Sequence, residues 1–169
     1  MKKDITIIVS VLLLAALCFV PLIACETRYD DAQKQAGRAL GIKLDVLAGG
    51  TVENNISSYG FHGDGKMYIQ IRFEDDSAIL RELEEKKSWN PAPVPEDLRT
   101  LLNYVKGLDS IQLPSDEEIG EGYFYFQDRH SDAVDRQDYR AALERYSENF
   151  TAAVYSIARK TLWYCKFDS

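Results

Sequence analysis

Lys66-Met67-Tyr68-Ile69-Gln70-Ile71-Arg72-Phe73 is the stretch that decides the fold. Met67, Ile69, Ile71 and Phe73 alternate with Lys66, Tyr68, Gln70 and Arg72, the period of two of a β-strand with one face in a core and the other toward water. A second stretch, Tyr123-Phe124-Tyr125-Phe126, is aromatic on both faces and reads as a central strand covered on both sides. Near the C-terminus, Glu148 to Ala158 and Thr161 to Phe167 read as two more strands, with Arg159-Lys160 at the turn of a hairpin. Between Lys43 and Ser58, Val46, Val52 and Ile56 favour a strand, but Gly49-Gly50 and Asn54-Asn55 interrupt it with bends or a bulge.

The helical pattern fills the spaces between these strands. Tyr29, Ala32, Ala36 and Leu40 recur at spacings of three and four and stop at Gly41, which predicts a short amphipathic helix or stalk over residues 26–42. Asp76 is the expected N-cap of a helix running to about Lys87 with Ile79, Leu80 and Leu83 on one side. Pro91, Pro93 and Pro95 then hold an extended connection. Pro95 opens a further helix that buries Leu98, Leu101, Leu102 and Val105 and ends at Gly107, with a helical turn near Tyr139 to Leu143 beyond it. The expected class is α+β: a mostly antiparallel sheet of four or five strands, with two or three helices on one face, occupying residues 43–169 as one domain.

An N-terminal hydrophobic helix precedes this domain. From Ile5 to Ala24 there are twenty residues without a charge, behind Met1-Lys2-Lys3. Twenty residues of helix span about 30 Å, the hydrocarbon thickness of a bilayer, and Lys2 and Lys3 mark the cytoplasmic side. Residues 1–25 therefore read as a signal peptide or membrane anchor that places the rest at the extracytoplasmic face of the cell membrane. Leu22-Ile23-Ala24-Cys25 resembles the lipobox of bacterial lipoproteins, in which the cysteine is lipidated and becomes the new N-terminus. An uncleaved anchor and ordinary secretion are the alternatives, and either would leave Cys25 able to pair with Cys165 in an oxidising compartment. Cys165 itself lies in a strand-like run and reads as a buried structural thiol.

Charge narrows the partners. Without Lys2, Lys3 and Asp4, the chain holds 18 basic and 26 acidic residues, a net −8 that argues against nucleic acid. The expected partners are the membrane, through the N-terminal segment or lipidated Cys25, and a protein or small ligand. No motif calls for a cofactor.

Candidate chemistry sits in two loops. Gly60-Phe61-His62-Gly63-Asp64-Gly65 precedes the Lys66 strand, and Gln127-Asp128-Arg129-His130-Ser131-Asp132 follows the aromatic one, so that the two histidines each lie within two residues of an aspartate. If the two strands are antiparallel neighbours, His62, Asp64, Asp128, Arg129, His130 and Ser131 converge at one end of the sheet. Imidazoles with carboxylates suit zinc or acid/base work. The plainer alternative gives Gly60, Gly63 and Gly65 positive φ in a turn, Asp64 a local side-chain bond, and Asp128-Arg129-His130 the role of a hydrogen-bonded corner. Asp128, Asp132, Asp135 and Asp138 lack the order of a calcium loop and read as a solvated acidic face.

Three segments carry a resemblance: Gly60-Phe61-His62-Gly63-Asp64-Gly65, then Gly122 through Ser131, then Arg145-Tyr146-Ser147-Glu148-Asn149-Phe150-Thr151. Together they resemble a group of small bacterial proteins of unknown function that are exported or lipid-anchored, over roughly Leu44 to the C-terminus. The resemblance implies a place in the bacterial envelope and carries no catalytic residue across. Ala158-Arg159-Lys160 departs from the Asp and Asn residues expected at that group's last turn. The reading that follows is an anchored, non-enzymatic binding or accessory domain of the cell envelope. The alternative is a small metal-dependent or acid/base hydrolase that uses His62, Asp64, Asp128 and His130.

Overall fold

The computed structural model describes residues 31–44, 49–60, 64–105 and 114–169. The expected N-terminal hydrophobic helix, Cys25, His62 and the helix stop at Gly107 lie outside these residues. The chain folds as α+β around one antiparallel sheet. Helix α1 covers residues 31–40 and is followed by β1 (Gly50–Tyr59), β2 (Gly65–Phe73), α2 (Ser77–Glu85), β3 (Trp89–Pro91) and α3 (Glu96–Val105). Then come α4 (Asp116–Ile119), β4 (Gly122–Asp128), α5 (Tyr139–Leu143), β5 (Phe150–Ser156) and β6 (Thr161–Asp168). The sheet has six strands in the order β1-β2-β6-β5-β4-β3, every neighbouring pair antiparallel.

The expectation of helices on one face is corrected. Ala32, Ala36 and Leu40 of α1 and Ile79 and Leu83 of α2 pack on one face, against Ile69, Ile71, Phe73, Tyr155 and Tyr164. Leu98, Leu101 and Leu102 of α3, Ile119 of α4 and Ala142 of α5 pack on the other, against Tyr68, Phe124, Phe126, Val154 and Trp163. The physical reason lies in the strands. All of β5 is buried and β6 nearly so, and a sheet apolar on both faces must be covered on both. Tyr68, expected to face water, is only 1 % exposed for the same reason.

Several local expectations are met. Gly41 ends α1 with φ of +64°, the left-handed geometry a glycine supplies at a helix end. β1 carries its irregularity between Val52 and Asn54. The β5–β6 hairpin pairs Ser156 with Thr161 and Phe150 with Phe167, and Lys160 sits in its turn at φ of +50°. The strand total exceeds the expected four or five because β3 hides in the proline-rich connection, where Trp89, Asn90 and Pro91 pair with Tyr125, Phe124 and Tyr123. β4, expected to be central, lies one place in from that short edge.

Candidate functional site

The two loops of interest meet the same end of the sheet, but they are not neighbours. The start of β2 and the end of β4 are separated by β6 and β5, since Gly65 pairs with Asp168, Phe167 with Phe150, and Phe150 with Asp128. Three strand spacings, about 14 Å, therefore lie between them. The condition for convergence, that the two strands be neighbours, is not met, because the C-terminal hairpin inserts between them.

At the β4 end, the structure builds a hydrogen-bonded corner. Asp128 is 1 % exposed. Its carboxylate accepts from the His130 main-chain N–H at 2.9 Å through Oδ1 and from the Arg145 guanidinium through Oδ2. Arg129 reaches the other way: its Nη2 donates to the carbonyls of Phe150 at 3.1 Å and Phe167 at 2.9 Å and to Asp168 Oδ1 at 2.5 Å. One guanidinium thus ties the ends of β5 and β6 to the exit of β4. His130 Nδ1 accepts from the Asp132 N–H at 3.2 Å, which leaves the proton of the neutral ring on Nε2. Ser131 Oγ donates to Asp132 Oδ1 at 3.0 Å. The partner of Asp128, Arg145, is not among the candidate site residues that the sequence offers, and it lies seventeen positions further along the chain.

At the β2 end, Asp64 is exposed and shares a shallow hollow of about 400 Å³ with Gly60, Lys66 and Asp168. Its main-chain oxygen accepts from Gly60 N–H at 2.7 Å and closes the turn. Positive φ at Gly60 and Gly65 is not observed; the positive-φ glycines of the described residues are Gly41, Gly49 and Gly120. Gly65 serves close approach instead, since a Cβ there would collide with the Ser58 carbonyl and the Tyr59 ring. Among the described residues, no group of three or more His, Cys, Asp or Glu side chains is placed to hold a metal ion.

Cys165 faces the α3 side of the sheet and is 1 % exposed. Burial pushes its thiol up to about 12, so at neutral pH it is a protonated core side chain. Tyr155, Tyr68 and Tyr164 are likewise pushed above the ordinary phenol range, first of all by burial.

A further open feature lies at the opposite end of the sheet, away from the candidate residues that the sequence offers. A groove of about 920 Å³ is lined by Glu53 of β1, Gln70 and Arg72 of β2, Arg159 and Lys160 of the hairpin turn, and Trp163 of β6, among others. Its floor is the α3-side face of β1, β2 and β6, and among the described residues none from a helix lines it. Polar side chains are braced along it: Gln70 Nε2 donates to Glu53 Oε2 at 2.6 Å, Tyr68 Oη to Gln70 Oε1 at 3.3 Å, and Arg72 Nη1 lies 3.6 Å from Glu53 Oε1. Arg159 pairs with Glu118 at 2.6 Å, and Lys160 Nζ donates to the Glu74 carbonyl at 2.9 Å. The sequence signal was present in the polar half of β2, where Gln70 and Arg72 follow Tyr68 on one face. It could be recognised only once β6 was known to lie alongside.

No family model, curated protein or solved structure matches this chain.

Proposed function

We propose that this chain is a membrane-anchored, extracytoplasmic domain of the bacterial envelope that binds a protein or small ligand, with the groove between β1, β2 and the β5–β6 turn as its binding face. The anchor rests on the uncharged run Ile5 to Ala24 and the Leu22-Ile23-Ala24-Cys25 ending. The observation that carries the binding role is a contrast between the two ends of the sheet. At one end, Asp128, the most buried of the described acid/base candidates, is spent on Arg145 and on the His130 amide. At the other, Arg72 is two-thirds exposed above a braced polar floor in a groove large enough for a ligand.

Zinc titration of the full chain, beside a form carrying His62→Ala and His130→Ala, tests this against the hydrolase reading. The binding role expects the two proteins to take up zinc equally weakly. Stoichiometric zinc uptake by the parent that is lost in the double variant, together with hydrolytic activity lost in parallel, would instead establish a metal-dependent enzyme.

A further inference from the structure

The two edges of the sheet are treated in opposite ways. β3 runs for only three residues and ends in Pro91, which has no N–H to offer. β1 runs for ten, and among the described residues it pairs with β2 alone. It contains no proline and no lysine, and Glu53 is its one charge. Glu53 falls at the irregularity between Val52 and Asn54 and has no partner in the register. Its carboxylate is turned back over the sheet, where it accepts from Gln70 and lies beside Arg72. From Asn54 to Tyr59 the strand is neutral and pairs with Gln70 to Gly65 without a break, and no described strand pairs with the main-chain donors and acceptors of its outer side. The residues that usually keep such an edge from pairing, proline and charged side chains, are absent from this half of β1.

We propose that this half of β1 pairs antiparallel with β1 of a second copy of the chain, centred on Ile56, to make a continuous twelve-stranded sheet. A second copy is the occupant because the strand is compatible with itself. With Ile56 facing its counterpart, the centre is an apolar cross-strand pair, Asn54 meets Ser58, and each Glu53 lies opposite Tyr59 instead of the other Glu53. Ile56 is half-buried against the α3-side core, so the same contact extends that core across the junction. A two-fold axis normal to the sheet also leaves α1 of both copies on one face, and both chains enter the assembly from the same side. That arrangement accommodates two anchors in one membrane, although the pairing itself does not depend on the anchor.

Sedimentation of the full chain in detergent reads the outcome, with circular dichroism and thermal unfolding as checks on the fold. The parent is expected to sediment as a dimer. Ile56→Lys and Ile56→Glu, which place like charges opposite one another, are expected to weaken association about tenfold or more. An equimolar mixture of the two folded variants is expected to recover the dimer, because the centre then pairs Lys with Glu. A monomeric parent would overturn the proposal, as would a dimer indifferent to both substitutions or a mixture that fails to recover. Pairing of the β1 edge with an extended segment of another protein would appear as the first of these.

Discussion

Asp128 and Arg145 form an almost closed pair at the exit of β4, with the carboxylate 1 % exposed and the Arg145 side chain 21 % exposed. A buried pair contributes little net stability when both partners are present, but removal of one strands a charge in a poorly solvated place. Arg145→Met is therefore expected to destabilise the fold by about 3 kcal/mol, measured as a shift in the urea midpoint at unchanged slope. Adding Asp128→Asn to it is expected to return part of the loss. The Asp128-Arg129-His130 corner was legible as one of two readings because a short acidic side chain two residues before an N–H makes a local bond by geometry alone. Its partner Arg145 was not legible, since nothing local joins them. Asp76 shows the same limit. It holds the N-cap position of α2, yet Asp75 Oδ1 accepts the Ser77 N–H at 3.0 Å while Asp76 Oδ2 accepts from the distant Tyr155 hydroxyl at 2.8 Å. Two adjacent aspartates are equally good caps on paper, and tertiary contact decides between them.

At the scale of elements, Gly122 sets how β4 joins β5. It opens β4 opposite Ser156, and a Cβ there would fall within the van der Waals shell of the Tyr155 carbonyl oxygen, a main-chain atom that cannot swing aside. Gly122→Ala is expected to cost about 2–3 kcal/mol through overpacking and to speed hydrogen exchange in β4 and β5. Gly60→Ala, where the nearest described neighbour of the added Cβ is 3.5 Å away, is expected to be close to neutral in the same measurements. Strands with strict alternation or continuous apolar runs were readable because their pattern is fixed by the two faces they bury. β3 was not, because three residues carry no period and two of the prolines around it point to a connection. α4 is marked by Ser115 and Glu118, whose side chains each accept from the other's main-chain N–H. That capping box spans only one turn, too short to carry a helical period of its own.

At the scale of the molecule, a six-stranded sheet covered on both faces joins two ends of different character. One is locked by Arg129, Asp128 and the C-terminal residues, where Ser169 Oγ donates to the Glu148 carbonyl and accepts from its N–H. The other is open and lined by Arg72, Glu53 and Lys160. The aromatic stretch Tyr123 to Phe126 already implied cover on both faces, but only strand order reveals which strands share an end and which are neighbours. Insertion of the C-terminal hairpin between β2 and β4 is a long-range pairing with no local signature, so the histidine loops could be assigned to one end of the sheet and not to adjacent places on it. Helix α1 ties its first described turn to the open end through Gln33 Nε2, which donates to the Gly50 carbonyl at 2.5 Å. Cys25 precedes residue 31 by six residues, a reach of at most about 20 Å, so an anchored domain carries this end near the bilayer.

Delivery of the domain across a membrane is the property on which the proposed role depends most. Protease added to intact spheroplasts expressing the full chain, followed by fractionation and by palmitate labelling of the parent and of Cys25→Ala, tests it directly. The expected result is a membrane-bound chain whose folded part is cut from outside, with the lipid label lost in the variant if the lipobox is used and absent from both if the apolar run is an uncleaved anchor. A chain recovered in the cytosol, untouched by protease until the cells are lysed, would contradict it.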